Sequence, residues 1–505
     1  MFFSLFIQRK LKKIDSKKLF FKYLTNYLIF FCLVFVSQFV RIMKFKKIKG
    51  YLEMESFEKI INLAKQTGFV FSGSEIYGGL ANSWDYGPLG SLLKNNLKKA
   101  WLQKFVQEQS QNILLDGSIL LNSSVWRSSG HLDSFSDPLT ENKDNNKRFR
   151  ADKLIEEHQP GLDISCWTYE QMHQYLVENK VLGTSNWTPI QPFNMLFQTH
   201  QGVVLEKSKP LYLRPETAQG IFIQFKNILK TTRKKIPFGV CQVGKVFRNE
   251  ITPGNFIFRS CEFEQMELEF FCEPNTQNEW FEYWKNFMYQ FLITLGMKKE
   301  NLSFKNHQKE ELSHYSEKTT DILFKFPWGM DELWGIASRT DFDLKNHQNH
   351  SKKDLTYFDP NTQKRYFPYV IEPSLGVERL FLALLINNYH EDSVNQTPRQ
   401  VLTFHPFLAP YKVAVLPLIK KEHASKAKEI ENYLMKYLDV CYDDTQSIGK
   451  RYRRQDMIGT PFCLTVDHET LEKNTVTLRN RDTLKQETMT LEEVKNYVLS
   501  QVTLK

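Results

Sequence analysis

The sequence predicts an α+β fold, with an antiparallel sheet and its helices over most of the chain and a smaller α/β domain at the C-terminal end. Three features predict it. A strand from Gly239 to Glu250, rich in Val, Phe and Cys, runs into the turn cluster Thr252-Pro253-Gly254-Asn255 and returns from Phe256 to Phe271. The return alternates polar and apolar residues, as one strand of an antiparallel hairpin does. A further strand, Tyr369 to Ile371, turns through Pro373-Ser374 into a helix starting near Gly376. Beyond His405-Pro406 and Ala409-Pro410, short apolar runs alternate with segments of helical period.

A chain of 505 residues has room for about three domains. Its formal charge of +10 is not spread evenly: residues 1–53 hold 12 of the 67 Lys and Arg and 2 of the 57 Asp and Glu, leaving 55 of each for the rest. The body is electrically balanced, so bulk charge gives no argument for nucleic acid. Residues 1–53 read as a separate extension, two basic clusters around the apolar run Leu28 to Val40. That run is shorter than the ~20 residues a membrane-spanning helix needs, and no small-x-small cleavage site follows it. Three readings stay open: translation that truly starts at Met54 or Met43, a dispensable or membrane-associating extension, and a cleaved signal. No stable membrane partner is expected. Cys32, Cys166, Cys241, Cys261, Cys272, Cys441 and Cys463 form no CxxC pair and no metal spacing. They fit a reduced, cytoplasmic protein without structural zinc.

In chain order, a helical pattern (Phe57, Ile60, Ile61, Ala64) precedes Gly78-Gly79 and Gly87-Pro88-Leu89-Gly90, tight turns before a helix from Ser91 to Gln107. Residues 130–200 are polar and irregular. A short strand, Leu211 to Leu213, stops at Pro215, and Thr217 is placed to cap the next helix. In the hairpin, side chains alternate faces. Arg248 and Glu250 therefore share one face of the first strand, and Arg259, Cys261, Phe263, Gln265 and Glu267 one face of the second. Arginines, acids and an aromatic ring make poor core but suit a nucleotide: guanidinium for phosphate, a ring for the base, an acid for its amino group. A sheet with one solvated face would give the same short pattern. His307 and His314 lack a third ligand at useful spacing and read as structural.

In the later strand-to-helix junction, Glu372 and Ser374 fall on one strand face, with Arg379 one turn into the helix. A helix N-terminus beside an arginine suits polyphosphate. The terminal domain is predicted over 409–505, with strands at 411–416, 439–442, 462–466 and 476–478 and helices at 421–438, 447–459 and 491–499. Ser-Ile-Gly-Lys-Arg within it is not a P-loop, since it lacks the earlier Gly and the trailing Ser or Thr.

Five stretches together carry a resemblance: LANSWDYGPLG (Leu80 to Gly90), RPETAQG (Arg214 to Gly220), FRNEITPGNFIFRSCEFEQMELEFF (Phe247 to Phe271), TTDILFKFPWGMDELWGIA (Thr319 to Ala337) and YVIEPSLGVERLFLAL (Tyr369 to Leu384). In this order the chain resembles the glycyl-tRNA synthetase family, the homodimeric class II aminoacyl-tRNA synthetases, from about Met54 to the C-terminus. The resemblance implies a class II catalytic domain over 54–405, with insertions near 130–200 and 300–365, and an anticodon-binding domain over 409–505. It implies a ligase of protein biosynthesis that joins glycine to tRNA(Gly) through glycyl-adenylate, with ATP as substrate, Mg²⁺ as cofactor and a homodimer as the working form.

It also implies roles. Arg248, Arg259 and Arg379 are the catalytic cations. ATP contacts are assigned to Arg248, Asn249 and Glu250, to Phe258, Arg259, Ser260, Cys261, Glu262 and Phe263, to Glu332 and Leu333, and to Gly376, Val377, Glu378 and Arg379. Glycine contacts are assigned to Arg150 (of FRADK), Glu216, Phe263, Glu264, Gln265, Met266, Glu267, Glu372, Pro373, Ser374, Leu375 and Gly376. Magnesium is assigned to Glu332, with Arg339 and Asp341 as nearby support, and tRNA to Gly254, Lys450, Arg451, Arg453 and Arg454. Two positions depart from the family's wording, Gly254 and Cys261 standing where arginines are usual. Cys261, counted on the face of Phe263, is expected toward the site. The alternative is a catalytically silent relative that binds nucleic acid; the retained Arg248, Glu250, Phe263, Glu267, Glu372, Ser374 and Arg379 oppose it.

Overall fold

The computed structural model describes residues 54–504 other than 165, 203–208, 252–253, 310–311, 314 and 395. The extension of residues 1–53, the turn residues Thr252 and Pro253, and His314 lie outside the described residues. The chain divides into two units. Of the smaller, residues 54–59 and Pro327–Gly329 are described, with the Phe57 and Trp328 rings edge to face at 5.5 Å. The larger holds the rest.

Its centre is a seven-stranded sheet. In chain order the elements that position the site are α1 (Pro88–Leu102), β1 (Asn112–Leu114), α2 (Ala218–Thr232), β2 (Phe238–Phe247), β3 (Glu262–Cys272), α3 (Gln277–Thr294), β4 (Leu302–Asn306), β5 (Lys318–Phe326), β6 (Gly329–Thr340), α4 (Phe342–Ser351), β7 (Tyr369–Gly376) and α5 (Val377–Asn388). The sheet order is β4-β5-β6-β7-β3-β2-β1. The β2–β3, β3–β7, β6–β7 and β4–β5 pairings are antiparallel, and β1 pairs with β2 in parallel. One face packs on α2, where Phe222, Phe225, Phe238 and Phe271 form a fully buried aromatic cluster. Pro88 opens α1 at the helix position that needs no N–H donor. Gly90 in its first turn is obligatory, because a Cβ there would stand 1.9 Å from the Phe69 carbonyl oxygen.

The predicted hairpin is present, but its inner ends are not strand. The ladder runs from Phe238↔Phe271 to Phe247↔Glu262. Arg248 to Glu250 have left it, and Phe256–Phe258 form a 3₁₀ turn rather than the start of the return strand. The reason lies in those residues: Phe256, Ile257 and Phe258 are all buried, which alternation cannot achieve, and Asn255 and Phe256 both hold positive φ (58° and 59°). Thr217 also departs from expectation. It stands at the N-cap of α2, yet its hydroxyl donates to Glu267 instead of capping the helix.

Residues 389–402 form a hairpin, β8 (Tyr389–Val394) with β9 (Thr397–Leu402). Then come β10 (Val413–Pro417), α6 (Lys420–Leu434), β11 (Val440–Tyr442), α7 (Ile448–Ile458), β12 (Phe462–Val466), α8 (His468–Lys473), β13 (Thr475–Asn480), β14 (Gln486–Thr490) and α9 (Leu491–Gln501). Their sheet has the order β11-β10-β12-β13-β14, parallel among the first three strands. Its apolar core includes Val413, Val415, Ile430, Phe462, Leu464 and Val498. Among the described residues no helix is long and apolar enough to cross a membrane.

Candidate active site

On the face that carries α2's aromatic cluster, the sheet opens beyond that cluster into a cavity of about 310 Å³, walled by β3, β5, β6, β7 and the first turn of α5. Period two decides which side chains reach it. On β3, Phe263, Gln265 and Glu267 line the cavity. Their neighbours Glu262, Glu264 and Met266, assigned to ATP or glycine from the sequence, point the other way. Glu262 pairs with Lys245, Glu264 lies 2.8 Å from Lys94 and 3.0 Å from Lys98, and Met266 is fully buried. On β7 the same rule brings Glu372, Ser374 and Gly376 to the wall and leaves Pro373 and Leu375 off it.

One end of the cavity holds the cations. Arg248 donates through Nε to the Pro215 carbonyl at 3.0 Å, and its guanidinium stands 5.4 Å from the Phe263 ring centroid. Arg379 meets Glu332 at 2.9 Å and lies 4.5 Å from the Phe258 ring centroid. That arginine holds the Glu332 carboxyl below its usual range. Arg259, Ser260, Glu250, Leu333 and Glu378 complete this end. Two unpredicted groups join it. His307 Nε2 lies 2.6 Å from Asp321 Oδ2, and both line the cavity. Burial and then the nearby Glu332 charge push the Asp321 carboxyl up.

The other end is a cluster of buried acids around one guanidinium. Arg339, 1% exposed, donates through Nε and Nη2 to Asp343 at 2.8 and 2.9 Å and through Nη1 to Glu372, with its guanidinium 3.9 Å from the Tyr315 ring centroid. Glu216 lies 3.3 Å from His131 Nε2 and accepts from Gln219 at 2.9 Å. Burial raises its pKa, but His131 and Arg339 outweigh that and hold it low. Glu267 accepts from the Thr217 N–H at 3.0 Å and from the Ser374 hydroxyl at 2.5 Å. Burial and the Glu216 charge raise it. Burial also lifts Glu372, to about 8, against the pull of Arg339. The central part of Arg339 was legible only as a nearby basic residue, because its partners come from α4 and β7, remote in sequence.

Other predicted residues stand off the cavity. Asn249 gives its N–H to Met195 at 2.8 Å. Cys261 is half-buried and does not line the cavity. It precedes β3, so alternation counted along a continuous strand misplaces it. Its N–H donates to the Asn82 carbonyl at 2.9 Å, and burial pushes its thiol up. Val377 is fully buried in α5. Arg150 is held by Asp152 at 2.7 Å and Asp137 at 3.2 Å. Gly254 is exposed beside its bridge to Arg259.

Of the basic residues on α7, Arg451 is no surface contact. It is 3% exposed and donates to the carbonyls of Pro417, Asp444, Thr445 and Gln446. The loop between β11 and α7 closes over it, which helical spacing alone cannot reveal. Arg453 donates to the Val394, Thr397 and Pro398 carbonyls, and Arg454 pairs with Asp443 at 2.6 Å. Lys450 is exposed.

Among the described residues, Glu422, His423 and His468 bring three metal-ligating atoms within 4.8 Å of one another. His423 Nδ1 accepts from the Ile419 N–H at 3.0 Å, so the proton of its neutral ring sits on Nε2. Neither nitrogen then offers a lone pair to a metal.

Residues 202–389 match the family described as tRNA synthetase class II core domain (G, H, P, S and T), and residues 412–501 the family described as anticodon binding domain. A glycine–tRNA ligase of Clostridium kluyveri is 53% identical over 458 residues, covering 89% of this chain and 99% of that protein. A glycine–tRNA ligase of Acetivibrio thermocellus is 56% identical over 452 residues, covering 88% and 98%. Among solved structures, the RNA binding domain of threonyl-tRNA synthetase from Cryptosporidium parvum Iowa II superposes with a TM-score of 0.60 over 87% of this chain and 97% of that one. At 18% identity that likeness is one of fold.

Proposed function

The chain belongs to the glycine–tRNA ligase family, and we infer that it joins glycine to tRNA(Gly) in two steps within this cavity. A glycine carboxylate oxygen attacks the α-phosphorus of ATP, the bond to pyrophosphate breaks, and glycyl-adenylate forms. A hydroxyl of the tRNA's terminal ribose then attacks the glycyl carbonyl, and AMP leaves. The observation that carries the reading is identity above half along nearly the full length of the ligases.

The division of the cavity supports roles for its walls. At the cationic end Arg248 takes the α-phosphate, Phe263 stacks on adenine, Glu250 accepts from its amino group, and Arg259 and Arg379 hold the phosphate tail. No side chain acts as nucleophile; positioning and charge neutralisation lower the barrier. At the acidic end Glu216, Glu267 and Glu372 receive the glycine ammonium, with Ser374 orienting Glu267. Magnesium fits the cationic end. A Cβ on Gly335 would have Asp321 Oδ1 at 3.4 Å and Glu332 Oε1 at 3.8 Å, so the space that a side chain would fill is bordered by two carboxylate oxygens. Such hard oxygen donors suit Mg²⁺. Glu332 and Asp321 would hold it, and it would neutralise phosphate charge.

The homodimer is supported by an apolar surface left open, Ile76 and Tyr77 at 87% exposure and Leu80 at 64% in one loop. Contact of the tRNA backbone with Lys450 is supported by its exposure on α7. ATP–pyrophosphate exchange with each amino acid in turn tests the assignment. Exchange dependent on glycine alone is expected, and exchange with none would remove it.

A further inference from the structure

Behind Glu267, two residues along the same face of β3, lies Glu269. It is fully buried, it does not line the cavity, and neither carboxyl oxygen has a hydrogen-bond partner. Charged and titratable groups face Glu372 from each element packed around it. β3 brings Glu267 and Glu269, β6 brings Arg339, and α4 brings Asp343. The turn before α2 brings Glu216, itself against His131, and Tyr315 lies over Arg339. Five carboxyl groups thus surround one guanidinium, and Asp343 takes two of its donors. Carboxylates packed this closely cannot all ionise in a dry site.

Glycine brings a further cation to this cluster. The assignment of the ammonium to the acidic end is the premise. We propose that glycine enters the pocket in exchange for a proton: Glu372, protonated in the empty pocket, ionises as the ammonium arrives beside it and releases its proton to solvent. The ammonium keeps its three hydrogens, the O–H bond of Glu372 breaks, and the net charge of the cluster is unchanged. Glu372 is the group that exchanges because it touches both the cavity and Arg339, which stabilises the anion once formed. Glu269 has neither cavity nor partner, and it stays a neutral acid throughout.

The test is calorimetric titration of the full-length enzyme with glycine, in buffers of different ionisation enthalpy at one pH. With Glu372 titrating at about 8, the slope of heat against buffer enthalpy should give close to one proton released at pH 7 and about half a proton at pH 8. The glycine KM in pyrophosphate exchange should fall about tenfold per pH unit between pH 6 and 7, where free glycine keeps its ammonium. Glu372→Gln should remove both dependences, and Glu269→Gln should leave the proton count as it is. Glycine binding with the same heat in every buffer would overturn the proposal. So would proton release that survives Glu372→Gln or vanishes in Glu269→Gln. Failure of glycine to bind or to support exchange would instead remove the premise.

Discussion

Lys94 on α1 donates at 2.6 Å to Glu378, the residue immediately before Arg379 in the first turn of α5. It also meets Glu264 at 2.8 Å on the outer face of β3. Burial works against its charge, but the two carboxylates outweigh burial and hold the ammonium protonated. Lys94→Met would leave the buried Glu378 carboxylate without its cation and Glu264 with Lys98 alone. Breaking a buried pair from one side costs ~3–5 kcal/mol. Urea unfolding should show that loss, and because α5 carries Arg379, the variant should raise the ATP requirement more than the glycine requirement. An unchanged urea midpoint would mean that Glu264 and Glu378 find other partners.

Glu216 and Glu267 differ in what holds them, yet both face the acidic end of the cavity. Glu216→Gln and Glu267→Gln should each raise the glycine KM in pyrophosphate exchange, since each loses a charge-assisted bond of ~1.5–3 kcal/mol, about 10- to 150-fold. The ATP KM should move far less. Equal shifts for both substrates would indicate collapse of the shared wall, not loss of an ammonium partner.

Glu269 predicts a pH dependence of stability. Burial raises its pKa well above the usual value, so the folded state holds a proton that the unfolded chain gives up above about pH 4.3. Stability is therefore lost as pH rises from there through the folded value. Glu269→Gln carries no such proton. Relative to wild type it should gain stability from pH 5 to pH 7.5, by up to about 1.4 kcal/mol per pH unit. Thermal melts across that range would show a widening gap; parallel curves would mean Glu269 is ionised or already satisfied.

Much of the site was legible because strand alternation is local. Phe263, Gln265 and Glu267 follow from counting by twos along β3, as do Glu372 and Ser374 along β7. The same count failed at Cys261, because it assumed that the strand began at Phe256. Three consecutive buried apolar residues, Phe256 to Phe258, were the signal that it did not. His307, Asp321 and Arg339 were hidden for a different reason. Each gains its meaning from a partner on another strand or helix, and register between strands distant in sequence is not written in either strand. The basic run on α7 misled in the same way, since burial of Arg451 depends on a loop that closes over it.

That run supplies the last prediction. A charge that contacts RNA phosphate must be free to reach it, and among the four basic residues of α7 only Lys450 is exposed without a carbonyl or carboxylate partner shown for its side chain. Lys450→Glu should weaken tRNA charging, leave pyrophosphate exchange intact, and reduce the salt dependence of the tRNA KM by about one unit of log–log slope. Arg451→Ala should instead destabilise the sheet that begins at Val413 by ~2 kcal/mol or more, since its guanidinium gathers carbonyls that would be left buried. Deleting this sheet outright is a poorer test than point substitution. Arg399 on β9 meets Asp456 of α7 at 3.1 Å, so a cut after β9 leaves a buried guanidinium short of a partner. If Lys450→Glu charges tRNA normally at every salt concentration, the tRNA backbone passes elsewhere on this domain.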